Sequence, residues 1–116
     1  LAERQEAKIV LGLGRVRARR MFGGFGIYCD DIFFAIAYQD TLYFKVDDTN
    51  RAAYLHVGAA AFKPFANRST TLQYYEVPAD VLEDARQLRD WARAALAVAR
   101  HQAAKKPLRR AARQPL

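Results

Sequence analysis

The sequence predicts an α+β fold: two layers, one antiparallel sheet with helices packed on it, in the order α-β-β-β-β-α-β-β-α. Three observations carry this. Four apolar or alternating runs follow one another between residues 15 and 46 with very short turns between them, as in an antiparallel meander. A long apolar stripe at helical spacing follows Asp84. A shorter helix and two further strands fit between those blocks.

Residues 1–13 read as a helix, with Ala7, Val10 and Leu11 near one face, ended by Gly12 and Gly14. Arg15-Val16-Arg17-Ala18-Arg19 alternates strictly, as a half-exposed strand does, and its arginines line one face. Gly23, Gly24 and Gly26 mark a bulge, a bend or a close backbone approach. Phe25, Ile27 and Cys29 share one face of the next strand, and Asp30-Asp31 supplies a turn. Residues 32–38 are apolar on both faces, which predicts a central strand. After the turn at Gln39-Asp40, residues 41–46 alternate with Leu42, Phe44 and Val46 inward.

Asp48 is placed to accept a backbone N–H from the first turn of a helix that ends near residue 57, with Gly58 just past it. Strands are expected near 62–65 and 72–77, around a polar loop at Asn67-Arg68-Ser69-Thr70, and Pro78 ends the second. Asp84 with Gln87 three residues on fits an N-cap and its capping-box partner, and Asp80 with Glu83 offers a similar pair for a preceding short turn. Leu88, Trp91, Ala92, Ala95, Leu96 and Ala99 form the stripe of the last helix, and Arg86, Arg89, Asp90, Arg93 and Arg100 its polar side. Helicity is expected through Ala104, and Pro107 predicts a stop. The chain thus divides into a domain at 1–104 and a basic tail at 105–116.

The 116 residues suggest one domain, and a hydrophobic share of 52% argues against disorder throughout. No apolar run approaches the roughly 20 residues that span a bilayer. The charged start lacks the apolar region of a signal peptide. Cys29 is the sole cysteine, so neither an internal disulfide nor a thiolate zinc cluster is available, and a reducing cytoplasmic setting is expected. The net charge of +7 is unevenly spread. Lys105, Lys106, Arg109, Arg110 and Arg113 hold five of the nineteen basic residues, with no acid after Asp90. The other fourteen stand against twelve acids, so the rest of the chain is nearly neutral.

Candidate sites follow from these residues. Arg15, Arg17, Arg19 and Arg20 form a stripe whose guanidiniums suit carboxylates or phosphates; the plainer reading is a solvated strand face near acids such as Asp30 or Asp40. The tail cations would contact phosphate without reading sequence, or simply keep the chain soluble. Phe22, Phe25 and Tyr28 are possible stacking platforms, though such rings more often fill a core. The glycine loop lacks the Lys-Ser/Thr of a phosphate-binding P-loop and leads into a strand, so strand geometry explains it better. No catalytic, cofactor or metal set is expected. Ser69, His56 and His101 show no triad spacing, Cys29 sits in an apolar strand, and Glu76 would need Lys45 or Arg51 only if it faced inward.

The blocks Arg20-Met21-Phe22-Gly23-Gly24-Phe25-Gly26-Ile27-Tyr28, Leu42-Tyr43-Phe44-Lys45-Val46-Asp47, Asn50-Arg51, Phe62 with Pro64-Phe65, Tyr74-Tyr75-Glu76-Val77-Pro78 and Leu82-Glu83-Asp84 leading to Trp91-Ala92 occur in one order. In this the chain resembles the N-terminal domain of the TfoX/Sxy family of bacterial competence regulators. The resemblance implies a small α+β domain and a transcriptional co-regulator acting with the cyclic-AMP receptor protein on DNA-uptake genes. Full-length members carry a second, helical domain; with a basic tail in that place, a stand-alone member is expected.

The expected function is a non-enzymatic, cytoplasmic regulatory module that binds a protein partner, and a homodimer that covers a sheet edge is a further expectation. The alternative is weakly sequence-specific nucleic-acid binding through the tail and the arginine strand. A small enzyme would instead require a pocket where ionisable groups converge.

Overall fold

The computed structural model describes residues 13–21, 23–63 and 73–113, the last eight of these as helix backbone. Five strands form one antiparallel sheet in the order β1-β2-β3-β4-β5. They are β1 (Val16–Met21), β2 (Gly24–Cys29), β3 (Ile32–Tyr38), β4 (Thr41–Lys45) and β5 (Tyr74–Glu76). Helix α1 (Arg51–His56) lies between β4 and β5, and α2 (Ala79–Leu82) and α3 (Ala85–Arg113) follow. The α+β meander read from the sequence is the fold. The expected helix at 1–13 falls largely outside the described residues.

The meander folds this way because its turns are built for hairpins. Asp30 and Asp31 hold φ of 49° and 68°, Gln39 and Asp40 of 48° and 61°. Two successive left-handed residues give the turn whose twist matches the flanking strands. The register slips between Ile27 and Tyr28, where β3 carries one residue more than β2. This bulge lets Phe34 and Ala35, neighbours in sequence, both pack into the main core.

That core lies between the sheet and α3. Ile27, Cys29, Phe34, Ala35, Leu42, Phe44 and Val46 meet Leu88, Ala92, Ala95, Leu96 and Ala99. The alanines of α3 bring the helix close to the large sheet rings, and the predicted stripe is the buried one. Asp84 caps the helix as expected: its Oδ1 accepts the N–H groups of Arg86 (3.0 Å) and Gln87 (3.2 Å), and Gln87 Nε2 donates to Oδ2 at 3.0 Å. Gly58, at φ 70°, closes α1 with Ala59 N donating to Tyr54 O at 3.0 Å.

Several expectations are corrected. Asp48 does not cap α1. Asp47 instead accepts the N–H and the hydroxyl of Thr49, while Asp48 pairs with Arg51. Asp80 lies within α2, whose N-cap is Pro78, with no side-chain cap bond. The strand expected near 62–65 is, among the described residues, a single bridge between Ala61 and Tyr75. Phe25 does share the face of Ile27 and Cys29, but it is 37% exposed and not a core ring, because α3 crosses β3 and β4 and leaves that end of β2 uncovered.

The last helix does not stop before Pro107 but is helical to Arg113. Proline lacks one N–H, but residues 108–113 are leucine, alanine and arginine, all strong helix formers, so the helix resumes its pattern beyond it. The sheet's second face, unread in the sequence, carries its own cluster of Ile36, Phe62 and Tyr74 with Phe33, Tyr38 and Tyr43 against it.

Candidate interaction surface

The arginine stripe lies on β1, the strand at one edge of the sheet. Arg17 and Arg19 stand opposite Tyr28 and Gly26 in register and share the face that α3 does not cover. Arg20, opposite Phe25, alternates to the other face, so the four arginines flank the edge rather than forming one row. Arg15 precedes the strand, where its N–H reaches Asp30 Oδ1 at 3.3 Å. All four are exposed.

Their partners are few. Arg17 Nη2 lies 2.6 Å from Asp31 Oδ1, an exposed pair worth little to stability. Arg19 Cζ sits 5.7 Å from the centroid of Tyr28. Tyr28 stacks on Phe33 at 5.1 Å, Phe33 meets Tyr74 at 5.5 Å, and Lys45 Nζ lies 4.9 Å from the Tyr74 ring. An aromatic ladder with a cation at each end therefore crosses this face. Sequence reasoning had Tyr28 as a core or stacking ring but missed the ladder. The signal was the recurrence of aromatics at alternate positions in successive strands.

The glycine loop serves strand geometry. A Cβ on Gly24 would stand 2.4 Å from Ala37 O, and one on Gly26 would meet Met21 Cε at 2.7 Å and Phe33 Cε1 at 2.9 Å. Gly23 and Gly24 also line a cavity of about 220 Å³ with Phe25, Tyr38, Thr41 and Leu82.

Lys105 lines an open polar cleft of about 350 Å³ with Asp47, Asp48, Arg51, Gln73 and His101. This brings one tail residue beside acids and a histidine, but the groups are engaged or solvated. Asp47 is held below the usual carboxylate range, chiefly by the Thr49 hydroxyl, and Arg51 binds Gln73 Oε1 at 3.0 Å as well as Asp48. His101 and Lys105 are exposed. Among the described residues no three His, Cys, Asp or Glu side chains gather as metal ligands would. His56 lies exposed in the last turn of α1. Cys29 is fully buried and its thiol pKa is raised, first by burial and then by Asp30, which disfavours a nucleophilic thiolate. Glu76 is exposed opposite Tyr43 and raises that phenol's pKa after burial does. Ser69 and Phe22 lie outside the described residues, as do the side chains of Lys106, Arg109, Arg110 and Arg113, whose backbone continues α3.

Among the described residues no helix is long and apolar enough to cross a membrane. No curated protein sequence matches the chain. A family model, described as the TfoX N-terminal domain, matches residues 8–99, which span β1 to β5 and most of the packed length of α3; the chain belongs to that family.

Proposed function

We propose that this chain is a non-enzymatic regulatory module that works by binding a protein partner in the cytoplasm, as a TfoX-like transcriptional co-regulator does. The observation that carries the reading is the exposed edge strand β1, where Arg15, Arg17, Arg19 and Arg20 flank the strand. No Asp, Glu, His, Lys or Arg side chain is buried among the described residues, and the buried ionisable groups, the Cys29 thiol and the Tyr54 and Tyr74 phenols, are held in their neutral forms by burial. Such surfaces recognise other macromolecules by charge and shape more readily than they tune a pKa for chemistry. Affinity capture from the native cytosol, with nuclease treatment, tests the reading. A transcription regulator retained after nuclease supports it, and loss of every partner after nuclease overturns it.

A second reading, direct nucleic-acid binding, is favoured by the pattern of the last helix. At 3.6 residues per turn, positions 105, 106, 109, 110 and 113 fall within an arc of about 140°. That arc continues the line on which Leu88, Ala92, Ala95 and Ala99 pack against the sheet. Beyond the core the sequence thus sets Lys and Arg, instead of apolar residues, at the helix positions that continue that line. Phosphate binding through it would weaken with salt at a log–log slope near −0.9 for each phosphate neutralised on duplex DNA.

A further inference from the structure

The backbone of β1 has one side in use. Val16 stands opposite Cys29, and Asp30 N donates to Arg15 O at 2.8 Å. Bonds that flank a facing pair instead of joining it mark that pair as the non-bonded kind, and the two kinds alternate along an antiparallel ladder. Arg17, Arg19 and Met21 thus direct their N–H and C=O groups at β2. Val16, Ala18 and Arg20 direct theirs outward, where no described residue pairs with them. Arg17, Ala18, Arg19 and Arg20 are all exposed. An unpaired edge of this kind is a template for one more strand.

The flanking charge selects which strand. A second copy laid antiparallel across Ala18 would set each Arg17 against the other copy's Arg19, on the same face, and like charges directly opposite repel. An acidic strand reverses that sign. We propose that β1 takes an extended acidic segment of a protein partner as a sixth strand, with carboxylates at alternate positions opposite Arg17 and Arg19 and a small residue between them opposite Ala18. Asp31 shows the chemistry already, bound to Arg17 at 2.6 Å, and an exposed pair of this sort yields at little cost. Arg19, set over Tyr28, has no carboxylate within ion-pair reach among the described residues. This inference rests on the protein-binding reading above and names the partner's chemistry and mode of docking.

The test uses the full chain, isotope-labelled for amide NMR, and a synthetic peptide, Thr-Glu-Val-Glu-Thr-Glu-Val. The expected result is shift changes and slowed exchange at the amides of Val16, Ala18 and Arg20. Two N-methylated versions of the peptide, methylated on alternate residues, separate a strand from a charge contact. One should lose about tenfold or more in affinity and the other stay within about twofold, because only one set of amides faces β1. Arg19→Glu should weaken the acidic peptide about tenfold and favour its lysine counterpart. Ala18→Pro should abolish binding while leaving the sheet intact, since the N–H it removes points away from β2. The fold of each variant is checked by the same spectra.

Equal binding of both methylated peptides, shifts confined to other strands, absence of binding, or displacement of the peptide by an oligothymidylate with the same shifts would each overturn the proposal. Capture of nuclease-resistant protein partners that Arg19→Glu and Ala18→Pro leave unchanged would reject the sixth strand and keep the regulatory reading.

Discussion

Tyr54 shows how little margin one residue of α1 has. Its ring is 1% exposed and wedged edge-on against Trp91, with centroids 4.7 Å apart. Its hydroxyl finds no partner among the described residues, and burial pushes its pKa well above the usual phenol value. Removing the oxygen keeps the ring contacts and relieves a buried, unsatisfied group. Tyr54→Phe should therefore leave stability unchanged or raise it by about 1 kcal/mol, read by chemical denaturation. Tyr54→Ala should lower it by about 3–5 kcal/mol, as loss of a buried aromatic does. The pH dependence follows with a definite sign. Above about pH 10 the unfolded chain releases the phenol proton and the folded chain retains it, so stability falls as pH rises. Tyr54→Phe should flatten that alkaline fall, and an unaltered slope would show that this phenol is not its source. Gly24 sits at the opposite extreme of size. With Ala37 O 2.4 Å from where a Cβ would stand, backbone must move, so Gly24→Ala should destabilise more than Gly26→Ala, whose nearest contact is the flexible end of Met21.

At the scale of elements, α3 depends on its cap at one end and tolerates a proline near the other. Asp84 is held below the usual carboxylate range, first by the Gln87 side chain and then by its backbone N–H. Asp84 therefore stabilises the folded state above the ordinary Asp pKa, and that stabilisation is lost as pH falls through its lowered value. Asp84→Ala should lower the melting temperature at pH 7, and that difference should shrink as pH falls through the lowered Asp84 value. Pro107→Ala should add helical signal in circular dichroism, because it restores a donor inside a helix that already reaches Arg113. What the sequence showed about these elements follows their physics. The strands were legible because residues 15–46 run in alternating or wholly apolar blocks and their turns carry aspartates that accept positive φ. The stripe of α3 was legible because its period is helical. The end of α3 was not, since a local breaker was weighed without the strong helix formers beyond it. The second aromatic cluster was not, because Tyr and Phe at alternate positions read alike on a solvated face and on one covered by Phe62. The arginines of β1 were legible as a stripe, but which of them faces Tyr28 depends on register, and register needs the partner strand.

For the whole molecule the decisive property is where charge stands relative to the core. Among the described residues the last member of the main core cluster is Ala99, while five of the nineteen basic residues lie at 105–113 with no acid among them. Ending the chain after Ala104 lowers the net charge from +7 to +2 by removing those five cations. Among the described residues it takes away no member of either apolar cluster. Stability should therefore change by no more than about 0.5 kcal/mol, as for surface changes remote from packing. Polyanion binding should change far more. If all five cations neutralise phosphates, the log–log salt slope on duplex DNA should become less negative by about 4.5, which a titration of a labelled duplex measures. Binding of the acidic peptide at β1 should stay within about twofold, because Arg17 and Arg19 lie on an edge strand that α3 leaves uncovered, and unlinked sites are nearly additive. A shortened chain that lost both activities together would show one continuous cationic surface in place of two, and would remove the distinction between a protein-binding edge and a phosphate-binding helix.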